Sequence, residues 1–523
     1  MFYSVLFPNE EQAEKPRRRT EPDCFRDLNL GRLFSPILNG KKEFALEEFF
    51  YTPLQSRDVI LYRQDILRDL EEESLREQLS AFSKTVYGIF CRMNRARKDL
   101  QGGAGGRHLL AKGQILACAE QYCEALSALA TDLSRRTVRS KGLRDFGEYV
   151  SEYCADDCFC TLTSRVQKLR QKLAEVHGCM LIRDGTVRVR KYEKQVDFSS
   201  EILQSFAKFR SGNTQEYRQE ITDCTVPHVE EAVLDMTARL YKDVFSDLDA
   251  FCEIYLSFGD ETVFRFSREV QFYLVWLEYI HAMKEAGLPF NYPAVCNETG
   301  HISIRDGFDI VLAEHIGSKI VKNDFRLTGP ERVLVITGAN QGGKTTYARA
   351  FGQIHYLGSL GLSVPGRESS LLLFDHIFTH FGREEDLTVG SGKLRNDLVR
   401  LHEILEKATA RSILIINEIF SSTTLDDALA LGGHMMDAVT ASGALAAVVT
   451  FLDELATYGI ETVSMGTAVN EEDPEERTYQ IVRRGPDGLA HAVSIARRHG
   501  LTYDQLTRRL ENDRTFDVSR QGL

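Results

Sequence analysis

Apolar residues recur at three- and four-residue spacing over much of the chain between Glu47 and Leu288. Leu75, Leu79, Phe82, Val86, Ile89 and Met93 form one stripe, and Val229, Val233, Met236, Leu240, Val244, Leu248 and Phe251 a second. Val270, Tyr273, Trp276, Ile280 and Met283 continue the pattern. Each set falls on one face of an α-helix, and core packing accounts for all three. Two interruptions break the helical run. Gly102-Gly103-Ala104-Gly105-Gly106 predicts a loop. Met180 to Arg190 predicts a β-hairpin turning at Asp184-Gly185, its second strand presenting Val on one face and Arg on the other.

After Pro293 the pattern changes to short apolar runs alternating with helices, the mark of an α/β unit. The runs predict strands at Ile302 to Ile304, Arg332 to Thr337, Leu371 to Phe381, Ile413 to Ile416, Ala444 to Thr450, Thr462 to Met465 and Tyr479 to Arg483. This reading gives three regions. Residues 1–40 form an irregular N-terminal segment, 41–292 a mostly α-helical domain with a small hairpin near 180–190, and 293–523 an α/β domain.

The strand predicted at Arg332 to Thr337 feeds Gly338-Ala339-Asn340-Gln341-Gly342-Gly343-Lys344-Thr345, with Thr346 following and a helical pattern from Tyr347 to Leu360. This is the G-x-x-x-x-G-K-[ST] phosphate-binding loop in its proper setting, a strand leading through glycines into a helix N-terminus. Lys344 is expected to reach the β- and γ-phosphates of ATP, and Thr345 to offer its hydroxyl to Mg²⁺. Ser412-Ile413-Leu414-Ile415-Ile416 predicts a second buried strand that presents Asn417 and Glu418 beside the loop, with Glu418 as general base.

Composition sets limits on this picture. Charged residues make up 27% and hydrophobic residues 43% of 523, ordinary for a globular protein. No apolar run approaches the ~18 residues of a membrane span, and the first residues lack the basic start of a signal peptide. A cytoplasmic protein with no membrane association is expected. The eleven cysteines read as reduced thiols, and Cys154, Cys158 and Cys160 as buried helix residues in preference to metal ligands. The net charge of −12 excludes a protein that is basic throughout, but positive charge is clustered. Arg92, Arg95, Arg97, Lys98 and Arg107 form one group, Arg135, Arg136, Arg139, Lys141 and Arg144 a second, and Arg183, Arg188, Arg190, Lys191 and Lys194 a third. Such groups are able to meet DNA phosphates, although for any single cluster a solvated helix face is the better explanation.

These motifs together resemble the MutS mismatch-repair ATPases. The resemblance rests on ITGANQGGKTTYARAFGQ, Val364-Pro365-Gly366, Ile377 to Gly382, Asp386-Leu387 with Gly390, and the run from Asn417 through Ser422-Thr423-Thr424-Leu425-Asp426-Asp427. A weaker likeness to the MutS helical core begins at Pro53-Leu54-Gln55 and Tyr62 to Ile66. The resemblance implies an ABC-type P-loop ATPase domain at the C-terminal side of a helical core and lever domain. It further implies a homodimer with two composite ATP sites and DNA held between subunits, chiefly through phosphates. Asp427 matches the D-loop aspartate that reports across the dimer interface, and Ser391 is the nearest hydroxyl to a signature serine acting in trans.

The chain departs from the family pattern at several points. Asn417 stands where an aspartate orders Mg²⁺ through water, so weaker metal binding and slow turnover are expected. Phe451 replaces a histidine after Thr450, the signature segment reads Gly390-Ser391-Gly392-Lys393-Leu394, and Ile320 falls where an aromatic stacks on adenine. The residues ahead of the helical pattern are too few for a mismatch-reading domain and a connector, and those after the last ATPase helix too few for an Smr-type nuclease. The expectation is a DNA-binding ATPase of repair or recombination without either module. The other reading is an ATP-switched protein scaffold with slow hydrolysis.

Overall fold

A computed structural model describes residues 2–102, 106–183, 186–192, 228–297, 300–338, 341–382, 393–469, 477–486 and 500–509. Its contacts divide the chain into two compact units, Met1–Ala13 with Arg68–Leu274, and Glu14–Leu67 with Val275–Leu523. Among the described residues no helix is long and apolar enough to cross a membrane.

The first unit is built on the helices Glu73–Gly102, Gly106–Arg135, Lys141–Ala155, Asp157–Ala174, His228–Leu240 and Lys242–Tyr255. Leu75, Leu79, Phe82, Val86, Ile89 and Met93 are all buried, as a stripe on one helix face should be. The second predicted stripe runs over two helices instead of one. The backbone leaves helical geometry at Tyr241 (φ −118°, ψ 49°), whose hydroxyl donates to the His177 carbonyl at 2.6 Å. Strands β1 (Gly178–Arg183) and β2 (Thr186–Lys191) pair antiparallel with Arg183 opposite Thr186. The predicted turn residues, Asp184 and Gly185, lie outside the described residues. Val187 and Val189 are half-buried while Arg188 and Arg190 are exposed.

The first residues of the chain, expected to be irregular, are ordered by specific bonds within this unit. Buried Glu269 accepts from Ser4 Oγ at 2.7 Å and from the Val5 amide at 3.0 Å, and Tyr273 donates to the Val5 carbonyl at 2.7 Å. The cysteines differ from expectation as well: Cys158 and Cys160 are exposed and Cys154 half-buried. Among the described residues no group of three or more His, Cys, Asp and Glu side chains is placed to hold a metal ion.

Among the described residues the second unit carries twelve further strands, in chain order β3 (Phe290–Asn291), β4 (Ala294–Cys296), β5 (His301–Gly307), β6 (Asn323–Thr328), β7 (Val333–Thr337), β8 (Val364–Pro365), β9 (Glu368–Leu372), β10 (Ile377–Phe381), β11 (Ile413–Asn417), β12 (Leu445–Val449), β13 (Thr462–Val469) and β14 (Arg477–Arg483). The main sheet has the order β10-β11-β12-β7-β13-β14, parallel except for β14. Every residue of β7, β11 and β12 is buried, which explains their unbroken apolar runs. A second sheet, β4-β9-β5-β6, joins the same unit.

The single strand predicted from Leu371 to Phe381 is two strands, β9 in one sheet and β10 in the other. The corner is made by Asp375, whose carboxylate accepts from Ser412 Oγ at 2.8 Å and from the His376 amide at 2.6 Å. A further difference concerns residues 14–67, divided in the sequence reading between an irregular segment and the helical domain. By contacts they belong with the α/β unit. Asp27 accepts from Thr379 Oγ1 at 2.7 Å, Tyr356 donates to the Phe50 carbonyl at 2.9 Å, and fully buried Arg63 donates to the Leu360 carbonyl at 3.0 Å. The α/β unit resumes at Val275, earlier than the expected boundary at 293.

Candidate nucleotide site

The phosphate-binding loop starts where β7 ends and closes onto the helix Lys344–Ser359. Gly338 has φ +116°, and a Cβ there would sit 2.7 Å from Thr467 Oγ1. Gly343 has φ +92° and caps the helix N-terminus. Both positions require glycine, because a side chain is strained at such angles and one would also collide with β13. Gln341 is exposed at φ +61°, Gly342 is buried, and Thr346 is half-buried. Ala339 and Asn340 lie outside the described residues.

Lys344 is buried, and its ammonium donates to the Gly338 carbonyl at 2.6 Å, spanning the loop. Burial holds this amine below its ordinary lysine value, against the opposite pull of Glu418 and Asp453. Thr345 Oγ1 donates to Asn417 Oδ1 at 3.0 Å. That bond joins the helix after β7 to the end of β11, two strands away in the sheet, with β12 between. Glu418 follows at φ +52°, exposed, with its amide bonded to the Val449 carbonyl at 2.9 Å. This backbone turn frees the carboxylate from the sheet and points its position into the loop cavity.

The cavity measures about 440 Å³. It is lined by Gln341, Gly343, Lys344, Thr345 and Thr346 of the phosphate loop and by Glu418, and also by Leu312, Ile316, Lys319, Ile320, Val321, Asn323 and Tyr479, the last beside Gly343. The apolar wall comes from the helix Ile310–Ile316 and the turn that follows it. Sequence reasoning placed Ile320 here and found no aromatic. The structure brings in Tyr479 from β14, half exposed and held at φ +55°. Its carbonyl is fixed by Asn323 Nδ2 at 3.4 Å, and Asn323 Oδ1 accepts the Ile481 amide at 2.7 Å. Nothing in local spacing links residue 479 to residue 344, so only the sheet order reveals it. Asp453 was missed for the same reason.

Residues 334–508 match the family model for MutS domain V. This stretch of the chain is of the MutS domain V type. Similar proteins include the DNA mismatch repair protein MutS of Dehalococcoides mccartyi, 28% identical over 284 residues, a stretch covering 52% of this chain and 32% of that protein. The endonuclease MutS2 of Agathobacter rectalis is 27% identical over 296 residues, 55% of this chain and 37% of the relative. The endonuclease MutS2 of Gemmatimonas aurantiaca reaches 31% over 200 residues, 37% and 24% respectively. The chain thus spans about a third of the length of the curated relatives it matches.

Against this MutS-type frame the remaining predicted positions fall as follows. Asp427 is exposed in the first turn of the helix Leu425–Ser442 and accepts from Thr423 Oγ1 at 3.3 Å. Phe451 follows β12 and is 48% exposed, a large apolar side chain open to solvent where the MutS pattern has histidine. Ser391 and the rest of the signature segment through Gly392 lie outside the described residues. Part of the positive charge in the clustered regions is used within the helical unit. Lys112 pairs with Asp249 at 2.7 Å, Arg107 with Glu231 at 3.2 Å, and Arg136 with Asp132 and Glu72 at 2.7 and 2.8 Å. Arg97 donates to the Leu256 carbonyl at 2.7 Å. Arg188 and Arg190 on the hairpin remain exposed.

Proposed function

We propose that this chain is a Mg²⁺-dependent ATP hydrolase of the MutS type, acting as a homodimer whose ATP state governs its hold on duplex or branched DNA, in the cytoplasm. The observation that carries the ATPase reading is the 3.0 Å bond between Thr345 Oγ1 and Asn417 Oδ1. It brings the phosphate-loop hydroxyl and the strand-end amide to one point beside Lys344 and Glu418. The donor set fits Mg²⁺, a hard cation that prefers oxygen and keeps most of its waters. Thr345 would hold the ion directly and Asn417 through water. Bound there, Mg²⁺ would offset the charge of the β- and γ-phosphates.

The chain's own groups then divide the work. The loop amides and the N-terminus of the helix Lys344–Ser359 receive the phosphates. Lys344 exchanges its bond to the Gly338 carbonyl for the β- and γ-oxygens, and its partial burial strengthens that attraction. Glu418 orients the attacking water and takes its proton. Ile320 and Tyr479 flank the base. Asp427 and Ser391 would act across the dimer interface. The names of the relatives, a mismatch repair protein and two endonucleases, support DNA as the partner, with phosphate contacts leading. The exposed hairpin arginines are the first candidates for those contacts.

The test is steady-state ATPase activity of the purified chain with homoduplex, mismatched, branched and single-stranded DNA, using Glu418→Gln as the inactive control. Stimulation by at least one DNA, declining steeply with salt, is the expected result. An unchanged rate with every DNA, together with no gel shift at low salt, removes DNA from the reading. That outcome favours a second reading, an ATP-switched protein scaffold. It is supported by the neutral Asn417, by Phe451 in place of a histidine, and by the partial internal pairing of the basic clusters.

A further inference from the structure

One wall of the nucleotide cavity stands on a weak support. Leu312 and Ile316 belong to a helix of only seven residues, Ile310–Ile316, and Ile320 and Val321 lie just past the turn that follows it. Two turns of helix do not hold their own place; tertiary contacts must. At its C-terminal part Glu314 accepts from the Tyr279 hydroxyl at 3.0 Å, and at its first turn the polar contact is buried and lies away from the cavity.

Asp309 caps this helix, its Oδ1 accepting from the Val311 and Leu312 amides at 3.0 and 3.1 Å. Gln353, on the phosphate-loop helix, is fully buried and spends its whole amide on the same corner. Its Nε2 donates to Asp309 Oδ1 at 3.0 Å and to the Leu28 carbonyl at 2.9 Å, while its Oε1 accepts the Ile310 amide at 3.1 Å. Asp309 is itself only 4% exposed, and burial pushes its carboxyl up against the opposing pull of these donors. One side chain therefore ties the helix that follows the phosphate loop to the first turn of the helix that walls the base. Neither Gln353 nor Asp309 lines the cavity.

We infer that Gln353 and Asp309 are positioning residues that set the distance between the base wall and the phosphate loop, and so determine affinity for the nucleoside part of the ligand while leaving triphosphate binding untouched. The inference rests on the nucleotide-site reading above. Its physical basis is separability. The phosphate end is held by the loop, by Lys344 on the Gly338 carbonyl and by Thr345 on Asn417, none of which touches this corner. Removing the amide leaves buried groups unpaired at the first turn of the base wall and at the Leu28 carbonyl, neither of them on the phosphate loop, and the wall must shift or admit water to satisfy them.

The experiment uses the full chain with Mg²⁺ and follows displacement of a fluorescent ATP analogue by ATP and by inorganic tripolyphosphate. Gln353→Leu keeps volume and removes every hydrogen bond. The expected result is ATP weakened tenfold or more, tripolyphosphate within twofold of wild type, and an ATPase KM that rises while kcat holds. Should Gln353→Leu fail to fold, Asp309→Ala and Asp309→Asn decide the matter. The alanine should show the same split, and the asparagine, which keeps an acceptor for all three donors, should restore ATP affinity. Equal weakening of ATP and tripolyphosphate, or no change in either, overturns the inference. A wild-type chain that binds neither ligand overturns the nucleotide reading itself, and is recognised before any variant is made.

Discussion

Thr345 Oγ1 lies 3.0 Å from Asn417 Oδ1 and donates to it, so a neutral amide meets the phosphate-loop hydroxyl at the position where the resemblance to the MutS ATPases implies a carboxylate. An amide oxygen accepts the same bond but adds no charge to a divalent-cation site. Asn417→Asp should therefore keep the geometry and raise apparent Mg²⁺ affinity by roughly three- to tenfold, since affinity for hard cations follows ligand charge. Titration of ATPase rate or nucleotide binding with Mg²⁺ checks this. An unchanged midpoint would place Asn417 away from the metal.

Among the described residues, Glu418 is the one carboxylate lining the cavity, and it is exposed. Its removal as a base, in Glu418→Gln, should lower kcat by about 10²–10⁴ while ATP binding survives. Single-turnover hydrolysis beside equilibrium binding separates the two effects. Hydrolysis at the wild-type rate in this variant would require another base.

Tyr479 and Ile320 line the same cavity, and on the proposed nucleotide reading the tyrosine ring would stack on the base. Stacking of a base on an aromatic ring is worth about 1–3 kcal/mol, so Tyr479→Ala should weaken ATP binding about tenfold or more and Tyr479→Phe should not. Equal affinities for the alanine and phenylalanine variants would exclude stacking.

Gly352 lies against both β11 and the segment around Leu28. A Cβ at this position would meet Ile415 Cδ1 at 2.4 Å and Leu28 Cδ2 at 2.7 Å. Gly352→Ala should cost about 1–3 kcal/mol of stability, read as a lower urea midpoint. A neutral effect would mean that residues 14–67 do not pack as described.

His355 is fully buried on the phosphate-loop helix, with Nδ1 2.8 Å from the Phe351 carbonyl. Burial lowers its pKa from 6.5 to about 4. The unfolded chain thus takes up a proton at this residue at higher pH than the folded chain does, and the associated stability, full above pH 6.5, is lost as pH falls towards 4. Unfolding measured at pH 7 and pH 5 should show a loss on the order of 2 kcal/mol that His355→Leu largely abolishes. The same pH dependence in wild type and variant would assign the effect elsewhere.

Much of this protein was legible in its order of residues. The glycine loop before Lys344, the buried run before Asn417 and the stripe from Leu75 to Met93 are local patterns, fixed by helix and strand periodicity and by the conformations only glycine adopts. What stayed hidden was the junction between β9 and β10, because an apolar run from Leu371 does not record that Asp375 turns the chain from one sheet to another. The affiliation of residues 14–67 was hidden too, since Asp27 and Arg63 read as ordinary charged residues until their partners are known.

By itself the sequence determined that a phosphate loop and an acid-bearing strand exist, which residues they use, and where the pattern of a MutS-type ATPase is broken. Only the tertiary structure decided that Thr345 meets Asn417, that Tyr479 lines the cavity with Ile320, and that Gln353 bonds Asp309 at the cap of a wall helix. Each of these joins residues far apart in the chain, and such contacts depend on strand order and side-chain reach, which no local periodicity encodes.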